Sequence, residues 1–375
     1  MKMMHIGDLH LGTRQYGMAQ REEDFYDALK AVEKIAWDEG VSLVVISGDV
    51  FDSPKPPARA VLELSEFVAS LKFRNIKVAA IEGNHDLTAD NYWLRVCGIH
   101  PLEHTFVNIE SGGPVVTGFN FCRSEELLDR LEGLAAFCED GKPSRFPVVA
   151  LHCGVAEMGA AFNPDLSVTQ LAPLLKRIGC TYCALGHIHI PMEIQQDGIW
   201  FVQPGSLEMK SVDEPQDKSV EIVEFDDNGN VTGMKRVPYK TRKIRFENVE
   251  DEAGVDRILA TDPQELRDCL TVAYVGNAIP NGVSRVADFG KRHELMFRTV
   301  PVGDAAQREA AKDFDRHDSM SLLQRAVEEF FDKDSEQYNM VMKIINTGNP
   351  RLVVDEFMEK DNDDRGAKNP EGDQP

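Results

Sequence analysis

Over residues 1–225, short apolar runs alternate with stretches in which apolar side chains recur every three or four positions. The runs at 3–7, 41–47, 76–81, 115–121, 147–151 and 181–185 have the length of buried strands. Phe25, Ala28, Leu29, Val32, Ile35 and Ala36 share one helical face. Val61, Leu64, Val68 and Leu71 share another, in a helix opened by Pro56 and Pro57. Further helical segments are predicted at 125–138 and 169–178. Strands that alternate with helices predict an α/β layered domain. After Gly186 the rhythm changes to short strands at 192–195, 199–202 and 220–225, and Asp226-Asp227-Asn228-Gly229-Asn230 predicts a hairpin turn.

A second unit is expected from residue 241. Strand-like runs at 243–249, 270–275 and 294–300, with helical segments between them, predict a small α+β domain over 241–300. From Ser319 the period is helical, and Leu322, Leu323, Ala326, Val327, Phe330 and Phe331 form an apolar stripe. Apolar clusters at 340–345 and 352–358 complete a helical region over 301–358. Residues 359–375 contain no Val, Ile, Leu, Met or aromatic side chain and predict a disordered acidic tail.

Composition narrows the class. With 375 residues, 42% hydrophobic and 28% charged, the chain can build a sizeable core. No apolar run approaches the ~18 residues of a membrane span. The first ten residues hold one lysine and are broken by Asp8, unlike a signal peptide, so a cytoplasmic location is expected. Seven scattered cysteines do not form a disulfide framework, and Cys180 and Cys183, inside an apolar run, are expected to be buried thiols. The net charge of −22 would repel nucleic acid at long range. A DNA-acting chain of this kind needs local positive charge or metal ions.

The polar residues that end the strands carry the chemistry. Apolar runs lead into Asp8-Leu9-His10, Asp49, Asn84-His85-Asp86, His152 and His187-Ile188-His189, and in four of these five places a glycine directly precedes the polar residue. In open α/β sheets ligand sites lie beyond the carboxyl ends of the strands, so the five clusters should converge on one rim. Asp8, His10, Asp49, Asn84, His152, His187 and His189 make seven candidate ligands, more than one ion needs. Two ions about 3.5–4 Å apart with a bridging carboxylate would use them, in the manner of in-line displacement at phosphorus. Mixed imidazole and carboxylate ligation favours manganese, iron or zinc over magnesium. His5, His100, His104, His293 and His317 are expected to be ordinary core or surface residues.

These motifs resemble the calcineurin-like metallophosphoesterase superfamily. Gly7-Asp8-Leu9-His10-Leu11-Gly12, Gly48-Asp49-Val50-Phe51-Asp52, Gly83-Asn84-His85-Asp86, Leu151-His152, Gly186-His187-Ile188-His189 and Gln203-Pro204-Gly205-Ser206 look like its SbcD-type DNA double-strand-break repair nucleases. The resemblance is specific over residues 1–206 and rests beyond them on domain order and length. It implies a layered β-sandwich flanked by helices over 1–240, a small α+β capping domain and C-terminal helices. It implies two divalent ions, most often Mn²⁺: one held by Asp8, His10, Asp49 and His189, the other by Asp49, Asn84, His152 and His187. His85 would contact the scissile phosphate and protonate the departing oxygen, with Asp86 orienting it. Asp52 departs from relatives that carry a second histidine there. The implied activity is a double-strand exonuclease and single-strand or hairpin endonuclease of the bacterial or phage type. It would pair with itself and with an SMC-like coiled-coil ATPase of the SbcC type, bound by the C-terminal helices.

Lys235, Arg236, Lys240, Arg242, Lys243 and Arg245 form the clearest basic island and the candidate phosphate contact, or else a solvated linker. No G-x-x-x-x-G-K-[ST] occurs, so any ATP dependence must come from a partner. A phosphodiesterase or phosphatase acting on nucleotides or phosphoproteins would carry similar ligands, but it needs neither cap nor partner helices. A non-catalytic scaffold on the same fold would be expected to have lost ligands, and none is missing.

Overall fold

The structure is a computed structural model that describes residues 1–111, 113–139, 146–158, 166–211 and 214–302. The helical region and tail expected beyond residue 302 lie outside the described residues. Fifteen strands and eight α-helices are described.

The first sheet contains β1 (Lys2–Ile6), β2 (Leu43–Ser47), β3 (Lys77–Ile81) and β4 (His100–Pro101), all parallel. The second is built on β5 (Val107–Asn108), β6 (Val115–Phe119), β7 (Val148–His152), β8 (Tyr182–Gly186), β9 (Met192–Gln196) and β10 (Ile199–Gln203), in the order β5-β6-β7-β8-β10-β9. Its four central strands are parallel. Then β11 (Lys218–Phe225) and β12 (Val231–Tyr239) return to the first sheet as an antiparallel hairpin, giving the order β12-β11-β1-β2-β3-β4. A third sheet joins β13 (Lys243–Val249), β14 (Cys269–Gly276) and β15 (Phe297–Val302).

Alternation along each central strand explains the layers. Met3, Val45 and Ala79 point from the first sheet at Val148, Ala150 and Ala184 of the second. Their neighbours Met4, Val44, Ile46 and Val78 point the other way, at Phe25, Leu29 and Val32 of α1 (Ala19–Glu39) and Leu64 and Val68 of α2 (Ala58–Phe73). The short α3 (Tyr92–Val96) adjoins α2, with Cys97 Sγ 3.8 Å from the Val61 carbonyl. On the second sheet Val149, Leu151, Cys183 and Leu185 take α4 (Ser124–Glu139) and α5 (Val168–Ile178). Strands covered on both faces read as unbroken apolar runs. The helix expected at 169–178 starts at Val168, where Ser167 and Gln170 form a capping box. The architecture is the expected α/β β-sandwich flanked by helices.

The third sheet packs on α6 (Glu252–Leu259), α7 (Pro263–Leu266) and α8 (Gly282–Arg292) around its own core of Val249, Val255, Val275, Val286 and Phe289. Residues 1–301 form one compact unit. Gln216 exchanges two hydrogen bonds with the Ile244 backbone, and Arg242 Nε donates to Asp24. The strand expected at 294–300 begins only at Phe297, because Glu294 turns the chain at φ 53°.

Candidate metal centre

The parallel strands of both sheets deliver their ends to one rim. The Asp8 and His10 N–H groups donate to the carbonyls of Gly48 and Asp49, so the loops after β1 and β2 run side by side. Phe121 N–H donates to Glu82 O, which brings the end of β6 to the end of β3. Asp8, His10, Asp49 and His187 all have positive φ, a conformation that L side chains hold only when the surroundings impose it. Gly48, at φ 97°, leaves room for His152, whose Nδ1 would lie 2.3 Å from an added Cβ.

All seven candidate ligands meet there. His10 Nε2 lies 3.1 Å from His189 Nε2 and 3.6 Å from Asp49 Oδ2. His189 Nε2 lies 4.0 Å from Asp8 Oδ1. On the other side His152 Nε2 lies 3.1 Å from Asn84 Oδ1 and 3.4 Å from Asp49 Oδ2, and His187 Nδ1 lies 3.1 Å from Asn84 Oδ1. One oxygen, Asp49 Oδ2, therefore faces both groups. Asp8, His10, Asp49 and His152 are buried, and the remaining three are partly open.

The outer atoms of these ligands fix which atoms face inward. His152 Nδ1 donates to the Ser47 carbonyl at 2.8 Å and His189 Nδ1 donates to Glu214 Oε1 at 2.8 Å, so each presents a bare Nε2 acceptor. The Asp8 carboxylate accepts the His187 N–H. Acceptors that converge without a proton between them repel unless a cation lies among them, and this mixture of nitrogen and oxygen donors suits a divalent metal ion. The electrostatics agree. Burial raises the Asp8 carboxyl above its ordinary range. Burial opposes ionisation of Asp49 too, but the imidazoles of His152, His10 and His85 outweigh it and hold that carboxyl well below the usual range. Burial disfavours a charged His152, yet Asp49 and Asp8 push it up to about 9. The field at His152 Nε2 thus calls for positive charge, which a divalent ion supplies with the imidazole neutral.

His85 stands beside this group. Its Nδ1 donates to the Asp52 carbonyl at 3.2 Å, its Nε2 lies 3.9 Å from Asp49 Oδ2, and its ring meets that of His10 edge-on at 4.6 Å. Asp86 accepts three backbone hydrogen bonds, its Oδ1 from Gly83 N–H and its Oδ2 from Val50 and Phe51 N–H. The buried carboxylate is thus a clasp that ties the loop after β3 to the loop after β2, with one backbone donor on the first side and two on the second. His5, as expected, is a core residue, bonded to Tyr182 Oη at 2.9 Å and Ser47 Oγ at 3.0 Å. Cys180 and Cys183 are buried thiols.

Several contributors escaped the sequence. Glu214 holds His189 and is held in turn by Lys218 Nζ and Ser206 Oγ, each at 2.7 Å. Phe121 stacks on His187, with ring centroids 6.3 Å apart. Asp52 reaches toward His10 Nδ1 at 3.5 Å and accepts from Lys210 Nζ at 2.8 Å. The motif Pro204-Gly205-Ser206 marks the segment that carries Lys210 and Glu214, but no spacing rule singles either out.

The basic island has a different character from the one expected. Lys235 and Arg236 lie on the edge strand β12 and not in a linker, one of the two alternatives the sequence offered, and they pair with Glu39 and Glu221. Arg242 pairs with Asp24, Lys243 with Asp217 and Arg245 with Glu247. Lys240 lies exposed between β12 and β13. Five of the six cations are thus neutralised by carboxylates of the same chain.

Residues 1–191 match the family model of the calcineurin-like phosphoesterases. The chain belongs to that family. It is 31% identical over 231 residues to the DNA double-strand break repair protein Mre11 of Archaeoglobus fulgidus, covering 56% of this chain and 50% of that protein. The protein of the same description from Methanocaldococcus jannaschii is 28% identical over 273 residues, 67% of this chain and 70% of its own. The one from Halobacterium salinarum is 41% identical over 260 residues, 65% and 62%. The chain thus spans from half to 70% of the length of these relatives. Among the described residues no helix is long and apolar enough to cross a membrane.

Proposed function

We propose that this phosphoesterase is a metal-dependent DNA nuclease that hydrolyses phosphodiester bonds at DNA ends, as a double-strand exonuclease and a single-strand or hairpin endonuclease. The observation that carries the reading is Asp49 Oδ2, 3.6 Å from His10 Nε2 and 3.4 Å from His152 Nε2, shared between two groups of acceptors. Asp8, His10, Asp49 and His189 would hold one ion, and Asp49, Asn84, His152 and His187 the second, with manganese the preferred metal. Two divalent ions held there would supply charge to neutralise phosphate oxygens and would lower the pKa of a water toward neutrality. His85 carries its fixed proton on Nδ1, held by the Asp52 carbonyl, so its transferable proton sits on Nε2, the atom turned toward Asp49. It donates that proton to the departing oxygen.

The names of the relatives support DNA as the substrate, and the third sheet with its helices, over residues 241–300, is proposed as the cap that shapes access to it. A coiled-coil SMC-like ATPase of the SbcC type is the proposed partner, held by the stripe from Leu322 to Phe331. A second copy is also proposed, supported by the exposed Leu62, Tyr92 and Val96 on the adjoining α2 and α3.

Purified protein is loaded with manganese and given linear duplex DNA and, separately, a small phosphodiester. Degradation of the duplex, with about two metal ions bound per chain, is expected. Turnover of the small diester alone would reassign the chain to nucleotides or other small phosphoesters.

A further inference from the structure

Lys210 and Lys218 belong to one segment yet sit in opposite surroundings. Lys218 is sealed: its ammonium is 2% exposed and donates to Glu214 and Ser206. Lys210 donates to a single acceptor, Asp52 Oδ1 at 2.8 Å, and both partners reach solvent, at 19% and 34% exposure. Among the described residues its other two N–H donors have no protein acceptor. A lysine that only neutralises a buried carboxylate would be enclosed, as Lys218 is.

The position of Lys210 is tightly determined. Its backbone N–H donates to Glu214 Oε2 at 3.2 Å, and its carbonyl accepts from Gln15 Nε2 at 2.7 Å. Glu214 also holds His189, and Leu207 N–H donates to Asp8 O, so the segment is fastened to the wall that carries the candidate ligands. Asp52 fastens the ammonium end to the same wall. Its carboxylate oxygen lies 3.5 Å from His10 Nδ1, and its carbonyl holds His85. An ammonium oriented by one carboxylate, with donors left over, beside a proton donor in a chain of net charge −22, is a local cation for an incoming anion.

We propose that Lys210 is a substrate contact that donates to a non-bridging oxygen of the phosphate presented to His85, and that Asp52 aims it. This rests on the phosphoesterase reading of the centre but not on DNA being the substrate. Asp52 attracts the same ammonium as the phosphate does, so it competes with substrate while it orients Lys210.

Binding of a fluorescein-labelled duplex end to the full chain is measured by anisotropy in calcium over a range of salt. Lys210→Met is expected to weaken binding about tenfold, the loss of one charge-assisted hydrogen bond at a partly open site. The slope of log K against log salt should shrink by about 0.9, one phosphate contact. Lys210→Arg keeps the charge and should retain most of the affinity. Asp52→Asn should bind more tightly than the parent, because the competing carboxylate is gone. A pair that serves only the fold predicts otherwise: both variants lose affinity together, the salt slope stays the same, and the unfolding midpoint falls in step. That pattern would overturn the proposal. If the parent binds and cleaves no DNA but turns over bis(p-nitrophenyl) phosphate, the DNA reading fails alone. Lys210 is then tested by the KM of that diester: a rise in Lys210→Met with the bound-metal count unchanged supports the contact, and an unchanged KM refutes it.

Discussion

Single side chains at this centre divide into those that face inward and those that fix the direction of others. His85 belongs to the first group, with its Nε2 turned toward Asp49. We expect His85→Gln to keep bound metal and DNA affinity while cleavage falls about 10²-fold or more, the usual worth of a general acid. Loss of metal in that variant, read by elemental analysis, would make His85 a ligand instead. His5 lies deeper, between the sheets. Burial pushes its imidazole down to about 3 from an ordinary 6.5, with the Leu185 backbone opposing. The unfolded chain therefore binds a proton at this residue that the folded chain refuses. Stability from His5 is intact above pH 6.5 and declines as pH falls from there toward 3. The slope is about 1.4 kcal/mol per pH unit. Urea unfolding of the parent between about pH 6 and 5 should include this slope, and above about pH 7 it should not. In His5→Phe the slope should be smaller by that amount, whatever its absolute stability.

Strands and the loops that follow them set how closely the two sheets can approach. Gly186 ends β8 directly against β2, and a Cβ there would stand 2.0 Å from the Ser47 carbonyl. That carbonyl holds His152, so the clash falls on a backbone group that cannot move without releasing a candidate ligand. Gly186→Ala should cost about 1–3 kcal/mol of stability, as overpacking does, and should weaken metal binding in the same variant. Unfolding and metal titration check the two effects separately, and a stable variant with full metal affinity would contradict the close-approach account. The strand β12 shows where element-scale reading fails. Val231–Tyr239 alternates poorly because it is an edge strand carrying Lys235 and Arg236 on exposed positions, a common way to protect a sheet edge, and in sequence it passes for a basic linker.

For the molecule as a whole, convergence of two parallel strand sets on one rim explains how an acidic chain can present a cation-seeking centre to an anionic substrate. Every candidate ligand lies between Asp8 and His189, far in sequence from the stripe proposed for the partner. We therefore expect deletion of residues 319–358 to spare intrinsic cleavage and abolish association with the proposed ATPase partner. Normal co-purification of the truncated chain with that partner would contradict the assignment of the Leu322–Phe331 stripe.

The succession of strands and helices, the α/β layering and the identities of the candidate ligands were readable from the chain alone, whereas the order of the strands within each sheet was not. Central strands buried on both faces must be apolar along their length, so the first polar residue after each run stands out, and coordination chemistry limits that residue to a few types. Hydrogen-bond direction was not readable. It depends on sub-ångström placement across loops that have no period, and this is what made Asp86 a clasp on Val50 and Phe51, Glu214 the holder of His189, and Asp49 Oδ2 the oxygen common to both groups. Asp52 and Lys210 lie 158 positions apart and meet at 2.8 Å, and only the folded arrangement of β2 and the segment after β10 brings them together.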